Sequence, residues 1–387
     1  ETENVLAKGL CERIGIEGSR LKHQPAGKEA VIFDDYQENH SVSVKMVLDA
    51  LTNPEYGVVK SMKEINAVGH RVVHGGEYFA NSVIITPEVI EAIEKCCDLA
   101  PLHNPANLIG IHACEEIMPG VPQVAVFDTA FHQTMPERAY MYALPYEYYE
   151  KYKVRRYGFH GTSHRFVSEE AAKMMDRPYD QTKTITCHLG NGGSVCAVRN
   201  GKSIDTTMGF TPLDGVLMGT RCGAVDPSAV TYVAGKHGFG VSEMDTYMNK
   251  KSGMLGISGN SSDFRDITAA AEAGDKRAIL AKDMLVYDIK KDIGAYAAAM
   301  NGLDAVIFTG GIDISVGSVV AFTGIVMGKL IVENGMPDIV GVIAAVLVGA
   351  ACGTFNGIMI SKFKLQPMIA TLAMMSMARG AAYTLAD

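Results

Sequence analysis

The chain has 387 residues, enough for two or three domains with their own cores, and it carries a formal net charge of −8 at pH 7. This acidic balance excludes nucleic acid as an expected partner, because binding to a phosphate backbone needs a basic surface, but it leaves a small anionic substrate open. The eight cysteines form no Cys-x-x-Cys pair, so neither a zinc site nor a disulfide framework is expected.

Short β-rich runs alternate with helical patterns up to about residue 308, which is typical of an α/β protein. The predicted strands are residues 123–127, 184–188, 194–199, 202–206 and 304–308, and the predicted helices are residues 87–97, 163–175 and about 276–300. Asn200 and Gly201 stand between two of these strands and predict a hairpin, and Gly302 predicts the end of the last helix.

The first candidate residues lie in a strand-like run, residues 69–76, that contains Arg71 and ends on two glycines. His70 and His74 suggest a metal site, but no third ligand is near them in sequence, and isolated histidines are more often structural. Asp128 directly follows the first predicted strand, at the end where α/β sheets bind their ligands. Its carboxylate could hold Mg²⁺ or orient an attacking oxygen, or it could simply cap a turn.

A loop of glycine, serine and histidine leads into the helix predicted from residue 163. Ser163 is suited to cap that helix, and His160 is suited to donate a hydrogen bond to a developing charge. A nucleophile–base pair of Ser163 and His164 is less attractive, because no Gly-x-Ser-x-Gly elbow presents the hydroxyl.

Two predicted strands end in glycines, at residues 188–192 and at residues 310–311. In the first turn the glycines would let backbone N–H groups approach an anion, and the side chain of Asn191 can donate as well. Two such turns suit a nucleotide. The first turn is neither a Walker loop nor a dinucleotide fingerprint, however, and a purely structural hairpin explains it equally well.

Arg221 lies between Gly219 and Gly223, where a tight backbone would hold its guanidinium for bidentate recognition of a carboxylate or phosphate. A surface salt bridge is the alternative. Asp263 and Arg265 belong to a segment that capping of the next helix largely explains, and a nucleotide contact is the minority interpretation there.

The sequence changes character near residue 309. Residues 313–387 contain long apolar runs with few charges, and residues 339–360 contain none, which matches the ~20 residues that span a hydrocarbon core. The predicted spans are residues 316–332, 339–360 and 367–385. An Ala/Gly-rich buried helix of a soluble protein is the alternative.

Taken together, the strings before residue 313 resemble the acetate kinase family. They occur in that family's order and spacing over nearly all of residues 5–312, and they include RYGFHGTSH at 156–164 and HLGNG at 188–192. The matching strings are residues 69–76, 100–105, 127–132, 156–164, 188–192, 219–223 and 308–312.

The resemblance implies a two-domain α/β fold of the acetate- and sugar-kinase/Hsc70/actin (ribonuclease H-like) type. The implied domains are residues 1–130 and 131–312, which close over Mg-ATP, and a helical membrane-like tail follows at residues 313–387. The implied reaction is direct in-line phosphoryl transfer between ATP and acetate, which gives ADP and acetyl phosphate.

The family's catalytic residues carry over to four positions. Arg71 would bind the carboxylate of acetate and Asp128 would be the catalytic carboxylate. His160 and Arg221 would stabilise the transition state by neutralising charge on the transferred phosphoryl group.

The family's binding residues carry over as well. An apolar pocket for the methyl group is implied at Val73, Leu102, Phe159 and Pro212. Because one methylene changes binding by only ~1–3 kcal/mol, propionate would compete with acetate. The implied nucleotide-binding residues are His188, Leu189, Gly190, Asn191, Gly192, Asp263, Phe264, Arg265, Gly311 and Ile312.

The chain departs from the family at both ends. The family's first strand, with an Asn and a Ser-rich phosphate loop, has no counterpart. Its carboxyl-terminal Glu, a magnesium ligand, has none either, which leaves Asp128 as the metal candidate. After residue 312 the family continues with Gly-Glu-Asn, whereas Asp-Ile-Ser follows here. From these departures we expect weak ATP binding and reduced turnover.

From about residue 309 the sequence resembles instead the permease subunit of ribose-type ABC sugar transporters. Both families read Thr-Gly-Gly-Ile at this point, which suggests a chimera from a recombined or mis-assembled gene. We therefore expect a cytoplasmic kinase body with a tail that inserts into the inner membrane and, by resemblance only, a homodimer. Two other interpretations stay open, a membrane permease fragment and a nucleotide-binding module without catalysis.

Overall fold

The computed structural model describes residues 4–101 and 103–310, together with scattered positions between 329 and 374. The chain divides into two compact units. Unit 1 contains the residues up to Thr134 and the segment Tyr157–Thr162, and unit 2 contains Met135–Arg156 and the residues from Ser163 onward.

Unit 1 contains two small sheets and three α-helices among its described residues. Its elements are β1 (Ala7–Glu12), β2 (Arg20–Pro25), β3 (Val31–Phe33), α1 (His40–Thr52), β4 (Val68–Val72), β5 (Val83–Ile84), α2 (Pro87–Lys95), α3 (Asn104–Ile117) and β6 (Gln123–Phe127), with short 3₁₀ helices at Met62–Glu64 and Ala130–Thr134. The first sheet is antiparallel, in the order β1-β2-β3. The second has the order β4-β6-β5.

The second sheet of unit 1 brings two strand ends to one edge. β4 and β6 are parallel neighbours, with Val72 opposite Phe127, so both chains leave the sheet on the same side. Apolar side chains anchor the strands. Val72 and Phe127 are at most 1% exposed and pack with Ile93 of α2 and Ile111 of α3. Because a buried parallel strand cannot slip by one residue without exposing its core face, this packing fixes the register of the strand ends.

Unit 2 is built around a four-stranded sheet. Its elements are α4 (Glu137–Tyr140), α5 (Glu147–Tyr152), α6 (Gly161–Met174, whose first two residues belong to unit 1), β7 (Lys183–Leu189), β8 (Gly193–Arg199), β9 (Lys202–Thr206), α7 (Pro227–His237), α8 (Val241–Lys250), α9 (Gly253–Ser258), α10 (Phe264–Glu272), α11 (Lys276–Ala299) and β10 (Ala305–Gly310), with a 3₁₀ turn at Tyr179–Gln181. The strand order is β10-β7-β8-β9, with β10 parallel to β7 and the other pairs antiparallel.

The hairpin predicted at Asn200 and Gly201 is confirmed. Both residues have positive φ, 53° and 73°, which is the backbone that a two-residue turn between twisted strands requires. The long helix α11 packs on the sheet through Ile289, Tyr296 and Met300. It ends where predicted, because Asn301 and Gly302 take left-handed conformations that a helix cannot continue.

The prediction that Ser163 caps α6 is wrong. The helix begins two residues earlier, at Gly161, whose N–H donates to the carbonyl of Asp128 instead of to a side-chain cap. Ser163 is therefore inside the first turn, where its hydroxyl lies 2.9 Å from Nδ1 of His188.

The three spans predicted in the tail lie almost wholly outside the described residues. Within the part of the chain that the structure describes, no helix is both long enough and apolar enough to cross a bilayer.

The packing of unit 2 predicts the effect of a cavity in its core. Ile185, on β7, is fully buried, and its replacement by Ala should lower the free energy of unfolding by about 2–5 kcal/mol, because the methyl groups are lost and a cavity remains. Ile279→Ala is the control, since that side chain is 40% exposed on α11 and its loss should change stability by less than about 0.5 kcal/mol. Urea unfolding followed by circular dichroism measures both, and equal stabilities of the two variants would contradict the assignment.

Candidate active site

Arg71 and Asp128 form a bidentate ion pair at the shared edge of β4 and β6. Nε of Arg71 donates to Oδ1 of Asp128 at 2.9 Å, and Nη2 donates to Oδ2 at 2.6 Å. The two partners differ in exposure, because 65% of the Arg71 side chain is accessible but only 3% of the Asp128 side chain. The hydrogen bonds to Asp128 raise the pKa of Arg71, so the guanidinium is positively charged at any working pH.

His160 is held beside this pair by its backbone. Its φ is 59°, a left-handed conformation that costs a non-glycine residue about 1–3 kcal/mol. The next residue, Gly161, donates its N–H to the carbonyl of Asp128 at 2.9 Å. A Cβ on Gly161 would overlap that carbonyl, so only glycine allows the approach. The half-buried imidazole of His160 is thus tied to the residue that carries the buried carboxylate.

Two of the predicted pocket residues lie on the same loops in unit 1. Val73 is 8% exposed, and its N–H donates to Oδ1 of Asn107 at 3.1 Å. Phe159 is 1% exposed, and its carbonyl accepts a hydrogen bond from Nε2 of His132 at 2.9 Å. The third, Leu102, lies outside the described residues.

The sequence did not identify the residues that hold the loop after β4. Asn104, at the start of α3, accepts from the N–H of His74 at 3.1 Å and donates to its carbonyl at 2.9 Å. The hydroxyl of Thr129 accepts from the N–H of Gly75 at 3.0 Å. The only sequence signal was the string at residues 100–105, which gave Asn104 no role. These bonds fix the backbone that follows Arg71.

His70 and His74, the two histidines that suggested a metal site, have structural partners. Nε2 of His70 lies 2.5 Å from Oε1 of Gln123, and Nδ1 of His74 accepts from the N–H of Gly76 at 3.0 Å. No group of three metal-ligating side chains occurs among the residues that the structure describes. Burial lowers the pKa of both His74 and His132 to about 4, so these fully buried rings are neutral at pH 7.

In unit 2 the predicted phosphate turn closes the hairpin between β7 and β8. The N–H of Gly190 donates to the carbonyl of Gly192 at 3.2 Å, and the exposed Asn191 lies at the tip. His188 is anchored by Ser163, as described above. β10 runs beside β7 with Gly310 opposite Leu189, so the two strands that end in glycine are neighbours in the sheet. Gly311 and Ile312 lie outside the described residues.

Three predicted segments of unit 2 meet at Gly219. Its N–H donates to the carbonyl of Asn191 at 3.1 Å. A Cβ at this position would overlap the side-chain oxygen of Asn191 and stand 3.0 Å from the carbonyl of Ser262. The turn at 188–192, the arginine loop and the segment before Asp263 are therefore packed together around a position that has no room for a side chain.

Arg221 is held by backbone and not by a carboxylate. The N–H of Met218 donates to the carbonyl of Arg221 at 3.2 Å, which closes a tight turn, and Nη1 of Arg221 donates to the carbonyl of Pro212 at 3.3 Å. Within residues 4–101 and 103–310, no acidic side chain pairs with it, so the salt-bridge alternative is not supported. Burial lowers the pKa of Arg221, because the charge loses water and gains no anion.

Asp263 caps α10, which confirms the capping interpretation. Its Oδ1 accepts from the N–H of Arg265 at 2.8 Å, and its carboxylate also accepts from the Arg265 guanidinium. These bonds to Arg265 lower the pKa of Asp263 to about 2. Phe264 and Arg265 are exposed at the start of the helix.

Two family models match the chain. The model of the acetokinase family matches residues 1–327, and the model of a permease component of branched-chain amino acid transport systems matches residues 293–387. The two matches overlap in the region where the sequence changes character.

Similar proteins support the first match. The acetate kinase of Desulfitobacterium hafniense strain DCB-2 is 60% identical over 312 residues, which are 81% of this chain and 78% of that protein. The acetate kinase of Caldanaerobacter subterraneus subsp. tengcongensis is 61% identical over 313 residues, with the same coverage of 81% and 78%.

Solved structures agree in fold. The crystal structure of Porphyromonas gingivalis acetate kinase is 52% identical, with a TM-score of 0.76, over 80% of this chain and 77% of that one. A propionate kinase from Francisella tularensis is 44% identical, with a TM-score of 0.75, over 79% and 77%. The two-unit α/β fold expected from the sequence is therefore confirmed for the described residues.

The two buried histidines predict a loss of stability in acid. Their folded pKa of about 4 lies below the usual value of about 6.5, so unfolding takes up protons between these values. The stabilisation is complete above pH 6.5 and is lost as the pH falls towards 4, at up to about 3 kcal/mol for each histidine. Urea midpoints measured by circular dichroism from pH 7.5 to 4.5 should decrease accordingly.

His132→Gln tests the assignment, because Gln keeps an amide donor for the carbonyl of Phe159 but does not titrate. Its urea midpoint should depend less on pH than that of the unmodified protein. His237→Gln, on an exposed ring, should leave the dependence unchanged. The same pH dependence in His132→Gln as in the parent would contradict the assignment.

Proposed function

The chain belongs to the acetokinase family, and we propose from this membership and from the geometry of its two units how it transfers a phosphoryl group between ATP and acetate. The relatives that are about 60% identical over four fifths of the chain are acetate kinases, so the protein is a phosphotransferase of that type. The observation that carries the assignment of residues is the convergence of Arg71, Asp128 and His160 at one sheet edge.

In the proposed reaction an oxygen of the acetate carboxylate attacks the γ-phosphorus of ATP. The bond from phosphorus to the bridging oxygen breaks, and its electron pair leaves with ADP. Acetate is already ionised at neutral pH, since carboxyl groups titrate near pH 4, so no general base is required. The protein's task is to position the two reactants and to neutralise charge as it spreads over the phosphoryl oxygens.

Unit 1 is proposed to bind the acceptor. The Arg71 guanidinium is planar, always charged and mostly exposed, which suits bidentate binding of a carboxylate. Asp128 would orient that guanidinium, because both of its oxygens already accept from Arg71. The imidazole of His160 would donate to the transferred phosphoryl group, and its tie to Asp128 through Gly161 would keep it in place.

Unit 2 is proposed to bind the nucleotide. The turn at 188–192 offers backbone N–H groups and the Asn191 amide to phosphates, and Asp263 to Arg265 would contact the nucleoside. Arg221 has no carboxylate partner within the described ranges, and its charge is partly desolvated, so it would interact strongly with phosphoryl oxygens. The roles of Gly311 and Ile312 remain proposals from the sequence.

One of the residues in the proposed site, Asp128, is suited to bind Mg²⁺. Asp128 supplies a hard oxygen ligand, and Mg²⁺ is usually bound by one or two carboxylates together with substrate phosphates and water. Bound there with ATP, the ion would neutralise phosphate charge.

Acetate is the proposed acceptor because the similar proteins that are about 60% identical are acetate kinases. Within unit 1, the nearly fully buried Val73 and Phe159 are proposed to contact its methyl group. One of the similar structures is a propionate kinase, whose named substrate is one methylene longer than acetate.

We propose further that units 1 and 2 correspond to the kinase domains predicted at residues 1–130 and 131–312, and that a permease-related segment follows. The overlap of the two family matches between 293 and 327 supports a junction in that region. Sequencing single long DNA molecules across codons 290–330 tests it, because an uninterrupted kinase reading frame would refute the junction. A transport function for the whole chain is not favoured, and homodimer formation, a cytoplasmic location and membrane insertion stay predictions.

The full chain should form acetyl phosphate from ATP and acetate, trapped with hydroxylamine, in the presence of Mg²⁺. Asp128→Asn should lower kcat by about 10²–10³-fold, because Arg71 loses its charged partner and the metal a ligand. Asp34→Asn, at an exposed position of unit 1, is the control and should retain full activity. ATP binding without any phosphoryl transfer would favour the nucleotide-binding module instead.

Val73→Ala should widen the acceptor pocket by two methyl groups. The ratio of kcat/KM for propionate to that for acetate should rise by about 10-fold, since one methylene is worth ~1–3 kcal/mol. Val241→Ala, at a position that is 91% exposed, should leave the ratio unchanged. An unchanged ratio in Val73→Ala would remove this residue from the pocket.

A further inference from the structure

Arg156 makes an unusual set of contacts within unit 2. Its Nη1 donates to three consecutive carbonyls, those of Thr206 and Thr207 at 2.8 Å and that of Met208 at 3.1 Å. Its Nη2 lies 3.4 Å from Oδ2 of Asp214. The side chain is only 20% exposed, so these bonds form largely away from solvent.

Three carbonyl oxygens directed at one point repel each other unless a cation lies between them. Arg156 supplies that cation at the end of β9, where the chain turns out of the sheet. Burial alone would lower the pKa of Arg156, but Tyr142, Tyr296 and nearby carboxylates outweigh it and raise the pKa. The residue is therefore charged, and its cation offsets the repulsion between the carbonyls in the turn after β9.

The segment held in this way, residues 206–215, is fixed at further points. The N–H of Phe210 donates to the hydroxyl of Tyr142 at 2.8 Å, and the N–H of Gly215 donates to Oδ1 of Asp214 at 2.8 Å. A Cβ on Gly209 would stand 2.5 Å from the Tyr142 hydroxyl, so the chain passes too close for a side chain.

The same segment holds the arginine loop. The carbonyl of Pro212 accepts from Nη1 of Arg221 at 3.3 Å, and the carbonyl of Gly215 accepts from the N–H of Ala224 at 2.7 Å. A Cβ on Gly223 would also meet the carbonyl of Gly215. A shift of residues 206–215 would therefore move both the guanidinium of Arg221 and the carboxyl end of the loop that presents it.

We propose that Arg156 is a positioning residue that acts on phosphoryl transfer through Arg221, by fixing residues 206–215 against the loop 219–223. This inference rests on the role of Arg221 proposed above. It assigns Arg156 no contact with either substrate. In this proposal the guanidinium of Arg156 fixes the position of Arg221, which is 65 positions further along the chain.

Arg156→Gln should lower kcat by about 10²-fold, the usual effect of displacing a catalytic group by about 1 Å, while KM for ATP changes little. Arg156→Lys keeps a cation near the carbonyls and should recover part of the loss. Arg199→Gln, at an exposed position of β8, is the matched control and should behave as the parent.

A double-mutant cycle with Arg221→Lys separates positioning from a general loss of structure. If Arg156 acts through Arg221, Arg156→Gln should cost much less in the Arg221→Lys background than in the parent. Equal costs in the two backgrounds would overturn the proposal, and so would a rise in KM for ATP as large as the fall in kcat.

Hydrogen exchange provides a readout that does not need activity. In Arg156→Gln the amides of Gly215 and Ala224 should exchange faster, whereas those of β7 and β8 should not change. Unchanged exchange at Gly215 and Ala224 would refute the proposal even if the parent protein were inactive. Inactivity of the parent with the expected exchange would refute the proposed function alone.

Discussion

The parallel pairing of β4 with β6 is the constraint on which the acceptor half of the site depends. Neither Arg71 nor Asp128 is held by its own loop. Arg71 lies in β4 and Asp128 directly follows β6, and the register that places Val72 opposite Phe127, both buried, also brings the guanidinium and the carboxylate together. Hydrophobic packing has no preferred direction, but it fixes the register of the two strands, and the register places the two charged groups within hydrogen-bonding distance.

In both units, a glycine lets another part of the chain approach the backbone closely. Gly161 lets the strand end at Asp128 anchor the residue after His160, and Gly219 lets the turn around Asn191 pack on the arginine loop. At each position a methyl group would overlap an oxygen atom. Rigid backbone is thereby brought to the reacting groups without a side chain between them, which is the preorganisation that electrostatic catalysis requires.

Features that depend on neighbouring residues could be predicted from the sequence, and features that depend on distant ones could not. Asn200 and Gly201 gave the hairpin because a tight turn is decided by its own two residues. The cap at Ser163 was wrong because a tertiary bond from Gly161 starts the helix earlier. Asn104 and Arg156 were missed as organising residues, since their partners lie about 30 and 50 positions away and no local pattern marks them.

The unequal exposure of Arg71 and Asp128 affects how quickly their ion pair can rearrange. The carboxylate is buried, whereas the guanidinium is on a long side chain with most of its surface in water. Exposed side chains change rotamer in picoseconds to nanoseconds, while loops and domains move in microseconds or longer. An adjustment of the guanidinium as an anion binds therefore needs only a small movement of one exposed side chain, which is much faster than any motion of the backbone.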